Sequence, residues 1–552
     1  MISNYDKLYS HLSSTVIIVI FIPNTLLMIR FFTLLSILFF FSHISNAQLN
    51  LTWRRTIDDG QHSREENRIL LSDTATAGVY SIGTRITQST SKTDLLITKM
   101  DTSGNQLWQN VYSSPGNYDE TVSDAVIDHQ GNLVITGNQF SSSTYSDILI
   151  IKYSTSGTLL WSDTIDGSAH GFDSGNSICV DDSDNYYVGS DIVSSALFFC
   201  GNLTKYTPAG SRVYNIDIPA IGSLNGVDYK NGFLYINATT YVAGQPYHTA
   251  LFKFDTNGNF LNSFPINNAN TNLIVDKIIT DSLIFLLETK QPGPFSWPNL
   301  VYEIICIDTA LNFRWATTQS TLYSIRPKGF QLVGNSLYVS AKENLDSVLS
   351  TASIDLRCFS SADGKLLHQT SWWPAAEYIS SYDPVVDLNG TVSIAAHFPD
   401  TILQRDVYVY MRFDSTLVLQ QYLILPDNEH SADVFVSRYN DQNIFYMAKA
   451  ADLTSWYNNL VLYRLSNNPV IIVDPWLGSP RFFPNPTSHE LHVTDDTPSF
   501  EKWSLLTTDG KIVIPSNSFP SDRILRFNVS SGVYLLQLSS SIGMKIVRVM
   551  IQ

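Results

Sequence analysis

Between residues 50 and 468 the apolar positions come in short runs that recur in one frame. Residues 94–112 (DLLITKMDTSGNQLWQNVY) give an apolar run, Lys99, an apolar residue, a turn at Gly104 and then Trp108. Residues 147–165 repeat that frame with Lys152, Gly157 and Trp161, and it returns at 202–216, 250–264, 303–317, 355–369 and 410–424. A half-copy, LVLYRLSNN, ends at Asn468. A second pair of strands recurs between these copies, at 124–138, 177–191, 226–238, 329–341 and 384–396. Each unit therefore holds about four short strands joined by Asp/Asn/Gly turns, the pattern of consecutive antiparallel hairpins. A four-stranded unit carried at one period over this length predicts the blades of a β-propeller, each burying its faces against two neighbours. The Lys-bearing strands end near Asp101, Ser154, Thr207, Asp255, Asp308, Ser360, Asp414 and Leu465. That count predicts eight blades, with seven as the alternative. Residues 51–57 (LTWRRTI) match the Trp-bearing strand missing from the last half-copy, so the two ends are expected to complete one blade and close the ring. Trp108, Trp161, Tyr214, Phe264 and Trp315 are expected to pack between blades.

The period stops after Asn468. A connector with three prolines and a glycine (469–480) precedes a segment (481–552) that reads as a small β-sandwich of about seven short strands. At the other end, two apolar runs at 15–28 and 31–41 are broken by Pro23, Asn24 and Arg30, and neither reaches the roughly 20 residues of a spanning helix. From Met28 the chain reads MIRFFTLLSILFFFSHISNAQ: one basic residue, an apolar stretch and small residues before Gln48. That is the form of a secretory signal peptide (28–47) cleaved between Ala47 and Gln48, with 1–27 an upstream extension. A mature chain with no transmembrane helix, exported through the periplasm and ending secreted or on the outer-membrane surface, is the expectation.

Composition narrows the partners. Charged residues are 15% of the chain and the formal charge is −16, which opposes binding to nucleic acid or an anionic membrane. The four cysteines, Cys179, Cys200, Cys306 and Cys358, form no CxxC pair, so no zinc ribbon or thioredoxin-like site is expected; an even count in an exported chain permits a bridge.

Two resemblances follow. Residues 101–108 (DTSGNQLW) and 361–367 (SADGKLL) resemble the docking motif of pyrroloquinoline-quinone-like propellers, and the Asp-x-x-Gly-Asn…Trp frame is similar to repeats of large secreted Bacteroidetes proteins. The quinone enzymes of that family imply adjacent cysteines and calcium-binding acids; this sequence has no adjacent cysteine pair, so no quinone cofactor is expected. The C-terminal segment resembles the type A sorting domain of the type IX secretion system. Its markers occur in order: Pro484-Asn485-Pro486, the turn at Asp509-Gly510-Lys511, and Gly532-Val533-Tyr534 before the last strands. The resemblance implies recognition by the type IX translocon.

Catalytic chemistry finds little support. Ser-x-x-Lys matches at 89–92 and 499–502 are short enough to arise by chance, and residues 171–175 have no partner His and Asp in a matching context. No catalytic or metal-ligating set is assigned. Asp181, Asp182 and Asp184 offer hard oxygens for calcium but occupy a hairpin turn. Trp297, Trp372 and Trp373 are candidate ligand-facing aromatics. The expected function is an exported, monomeric binding module for a protein or glycan; a hydrolase or lyase with acids in the propeller funnel, and a structural spacer, are the alternatives.

Overall fold

The computed structural model describes residues 50–57, 63–87, 91–141, 143–193, 199–240, 248–266, 273–290, 300–322, 324–344, 352–372, 380–381, 383–400, 405–424, 434–440, 443–451 and 458–466, followed by 482–483, 490–493, 501–507, 512–530, 532–540 and 543–551. The extension and signal segment with Ala47 and Gln48, the connector, Pro484, Asn485, Pro486, Asp509, Gly510, Lys511, Trp297 and Trp373 lie outside the described residues.

The repeat folds as a β-propeller of seven hydrogen-bonded sheets, the alternative count from the sequence rather than eight. Strands β1 (Asn50–Ile57), β2 (Ser63–Asp73), β3 (Gly78–Thr87), β4 (Lys92–Asp101) and β5 (Gln106–Tyr112) belong to sheet 1. Sheet 2 is β6 (Glu120–Ile127), β7 (Leu133–Ser141), β8 (Tyr145–Tyr153) and β9 (Leu159–Ile165); sheet 3 is β10 (Ser174–Val180), β11 (Tyr186–Val193), β12 (Phe199–Tyr206) and β13 (Arg212–Ile218). Sheets 4 to 7 follow within residues 221–266, 273–319, 324–372 and 380–424. Sheet 1 reaches eight strands because Val434–Asn440, Asn443–Ala451 and Asn458–Ser466 join it. There β1 pairs antiparallel with Asn458–Ser466, while a single parallel pair, Arg64↔Asn458, links β2 to the same strand. The two ends of the repeat thus close on each other, as the Trp-bearing N-terminal segment predicted, and the closure removes a free edge.

Each sheet is a meander whose strands differ in burial for a simple reason. The third strand is covered by neighbouring sheets on both faces, so β8 is buried from Ser146 to Tyr153 and carries an apolar run from Ile148 to Ile151. The outermost strand, β9, alternates exposed and half-buried positions. The core lies between successive sheets: Tyr80, Ile82, Leu95 and Ile97 of sheet 1 pack on Leu133, Ile135 and Leu149 of sheet 2, and Ile148, Ile150 and Ile165 of sheet 2 on Tyr186, Val188 and Cys200 of sheet 3.

The conserved frame of the repeat has a mechanical purpose at the outer rim. Asp101 accepts from the backbone N–H groups of Ser103 and Asn105 (both 2.8 Å) and from the Asn105 amide, which fixes the Asp-x-x-Gly-Asn turn. The outer-strand Trp then docks on the equivalent turn of the next sheet. Trp108 Nε1 donates to Thr155 O (3.0 Å), Trp161 Nε1 to Pro208 O (3.3 Å) and Trp315 Nε1 to Ser361 O (3.2 Å). Gly210, at φ 87°, lies under Trp161 so closely that a Cβ would stand 2.7 Å from the indole. At the closure Arg55 Nε donates to Gly104 O (2.9 Å), continuing the same rim.

The C-terminal residues form a three-stranded sheet (Phe482–Phe483, Glu490–Val493, Ile524–Arg526) and a four-stranded one (Ile512–Ser518, Lys502–Thr507, Gly532–Ser540, Gly543–Ile551). Leu491 and Leu525 of the first share a core with Trp503, Leu505, Leu536 and Leu538 of the second. Gly532 opens its strand opposite Ile551, and buried Tyr534 donates to Ser530 O (2.8 Å). All four cysteines are buried free thiols, with no bridge.

Candidate functional site

The sequence-predicted positions come first. Trp372 is half-buried, its ring 5.8 Å from Phe398 and packed on the core between sheets 6 and 7. The Asp181–Asn185 turn uses its own carboxylates. Asp181 accepts from Ser183 N, Asn185 N and Tyr187 OH (each 2.9 Å), Asp182 from Tyr229 OH (2.8 Å), and Asp184 from His129 N (3.0 Å). These oxygens hold a hairpin and its neighbours.

A different place brings two exposed aromatics and unspent charge together. It lies at the joint of sheets 2 and 3, at the end of the strands opposite the Asp-Gly turns. Tyr145 begins β8 with φ 60°, a conformation costly for an aromatic residue, and stays 62% exposed. Phe172, in the crossover from β9 to β10, is 57% exposed, and the two rings stand 5.1 Å apart at 40°.

The crossover (166–173, DGSAHGFD) is held by backbone and by glycines at close quarters. Ser146 N donates to Gly171 O (3.3 Å), Asp173 N to Ser146 O (2.8 Å) and Ser146 Oγ to Asp173 O (2.8 Å), which makes a one-residue parallel bridge between Ser146 and Phe172. A Cβ on Gly167 would meet Val193 O at 2.7 Å, and one on Gly171 would meet Val193 Cβ at 2.8 Å. Only glycine lets the loop lie this flat on the end of β11.

Three carboxylates come from the same segments as the rings. Asp147, Asp166 and Asp173 each place an oxygen within 4.8 Å of the others. Asp173 is fully buried and accepts from Val193 N (2.7 Å) and Gly167 N. Asp147 is buried; Thr144 Oγ1 donates to its Oδ2 (3.0 Å), and its Oδ1 has no donor. Asp166 is exposed and meets His170 Nδ1 at 2.5 Å. Burial, reinforced by the neighbouring carboxylates, pushes the Asp147 and Asp173 carboxyls above the usual range.

A second group of acids lies on the first strands. Those strands touch one another around the ring, β2 with β6, β6 with β10 and β10 with Ile221–Lys230. Asp124 Oδ2 accepts from Ile178 N (2.9 Å) and Ser177 Oγ (3.0 Å) of the next sheet, so its charge ties sheets together. Asp276, on the first strand of sheet 5, is pushed up to about 6 by burial and by the charge of Asp383. An apolar cleft of about 300 Å³, lined by Ile278, Phe330, Leu332, Val386 and exposed Leu388, offers no titratable group.

No family model matches this chain, and no curated relative matches it. Among solved structures it is similar to the quinohemoprotein alcohol dehydrogenase from Comamonas testosteroni (TM-score 0.46, 8% identity, covering 81% of this chain and 80% of that one). It is also similar to the WD40 domain of SCAP from fission yeast (0.42, 10%, 76% and 98%) and to polysaccharide lyase Uly1 (0.40, 10%, 76% and 100%). Likenesses this distant carry no argument about activity; the propeller assignment rests on the chain's own strand pairing.

Proposed function

We propose that this chain is an exported binding protein whose propeller offers the Tyr145–Phe172 face to a glycan or protein ligand. One observation carries the reading: two large aromatics stay exposed as a pair, and Tyr145 is held there in a left-handed backbone conformation that packing alone does not reward. Rigid, amphipathic rings on a fixed scaffold lose little entropy on binding and present flat faces to sugar rings or apolar side chains. The carboxylates of the same joint repel phosphate, so nucleic acid is opposed. The test is a glycan array and protein pull-down on residues 49–552, which form one compact unit, run beside a hydrolase and lyase panel. Saturable binding without turnover is expected; enzyme-like turnover would replace the binding reading.

That enzymatic reading has one observation in its favour, the raised Asp276 beside Asp383, a pair suited to general acid–base work. Turnover that disappears in Asp276→Asn is its signature. The routing belongs to the same proposal. Residues 481–552 are read as the type IX sorting domain, on the ordered markers described above. Fused to a periplasmic reporter in a host with that secretion system, they should carry it to the cell surface; a reporter that stays periplasmic refutes the routing.

A further inference from the structure

We infer that Asp147, Asp166 and Asp173 form a calcium site that braces the joint of sheets 2 and 3. The first support is the stranded charge. Asp147 is 8% exposed and its Oδ1 has no donor, yet it lies against two other carboxylates. A buried carboxylate in such company is unfavourable unless a counter-charge joins it. Among the described residues no Lys or Arg pairs with any of the three; the one ion-pair partner is His170, on exposed Asp166.

The second support comes from the repeat itself. One repeat earlier the positions of Asp147 and Asp173 are held by Asp94 and Glu120, and that of Asp166 by Ser113. There the protein supplies its own cation: Arg85 pairs with Asp94 at 3.2 Å. In the second joint the Arg85 position is Asn138, which accepts from Gly175 N (3.1 Å) and brings no charge, while a third carboxylate has been added. One repeat later the Asp147 position is Cys200. The triad thus occurs where the internal cation is lost.

The donor set selects the ion. Carboxylate oxygens without thiolate suit a hard cation. Ca²⁺ accepts several carboxylates in flexible geometry, whereas Mg²⁺ demands near-ideal octahedral geometry and keeps most of its waters, so a cage of three protein carboxylates favours Ca²⁺. Water and loop carbonyls complete the usual six to eight ligands. The site is argued from these carboxylates and does not require a ligand on the aromatic pair; only the consequence that calcium steadies Tyr145 and Phe172 rests on the binding reading.

The experiment is calorimetry on EDTA-stripped protein of residues 49–552, by thermal melts and by titration with CaCl2. A single class of site with a dissociation constant of about 0.1–1 mM, typical of extracellular modules, should raise Tm on saturation. Asp166→Asn, at an exposed position, should weaken calcium at least about tenfold while leaving the metal-free Tm unchanged or higher. Asp147→Asn should abolish the calcium response and raise the metal-free Tm, because it removes a bare buried charge. If Asp147→Asn fails to fold, Asp166→Asn decides alone. No response up to about 10 mM calcium, an unchanged response in Asp166→Asn, or an equal response to MgCl2 would overturn the assignment. None of these readouts involves the glycan or protein ligand, so the two proposals fail separately.

Discussion

Glu120→Gln gives a direct test of how charge is managed at these joints. Glu120 is fully buried, Ser114 N donates to its Oε1 (3.1 Å), and Oε2 has no donor. Burial, with the charges of Asp94 and Asp119, lifts its pKa from 4.5 to about 7. A folded pKa above the unfolded one means that the native state holds the proton more tightly. The stabilisation by that proton is therefore complete below about pH 4.5 and is lost as pH rises through about 7. At about 1.4 kcal/mol per pH unit the gap sets roughly 3 kcal/mol as a ceiling. Glutamine copies the shape of the protonated acid and carries no charge at any pH. Denaturant melts should find the two proteins within about 1 kcal/mol of each other near pH 4.5, with the variant more stable by up to about 3 kcal/mol at pH 8. A difference that does not change with pH, or a variant less stable at pH 8, would refute the reasoning.

Three further outcomes follow from the rim and the aromatic pair. Trp161→Phe keeps the ring on Tyr206 but loses the bond to Pro208 O, and should cost about 1 kcal/mol in denaturant melts, against 3–5 kcal/mol for Trp161→Ala. Gly210→Ala meets the Trp161 indole at 2.7 Å from a left-handed backbone, so a loss of about 2 kcal/mol or more is expected; a neutral result would mean that the rim yields easily. Tyr145→Gly should raise stability by about 1 kcal/mol through relief of its backbone while weakening ligand binding, a split that a purely structural tyrosine would not show.

Much of the scaffold was legible because a propeller writes its packing into local sequence. The Lys-bearing third strand is an apolar run since neighbours cover both its faces, and the Asp-x-x-Gly turn is followed by Trp since that Trp docks on the next turn. Ring closure was legible for the same reason: residues 51–57 carry the Trp-bearing strand that the last half-copy lacks. The blade count was less secure, because the copies say how many strands of one kind exist and hydrogen bonding decides how they group into sheets. The candidate site was not legible. Tyr145 and Phe172 are 27 positions apart, and their exposure depends on a loop flattened by Gly167 and Gly171. One signal was available: acids at 94 and 120 recur at 147 and 173, and recurrence at an acidic position inside an apolar run marks a joint. Trp372 was legible only as a large aromatic near a loop, and its contact with Phe398 was not.

The measurement closest to the central claim is the affinity of the best glycan or protein hit for the intact compact unit against a Tyr145→Ala/Phe172→Ala double variant of matched Tm. Loss of at least about 1.4 kcal/mol, tenfold in Kd, with folding unchanged is the expected result. Equal affinity in the double variant would place the ligand elsewhere on the ring and contradict the proposal.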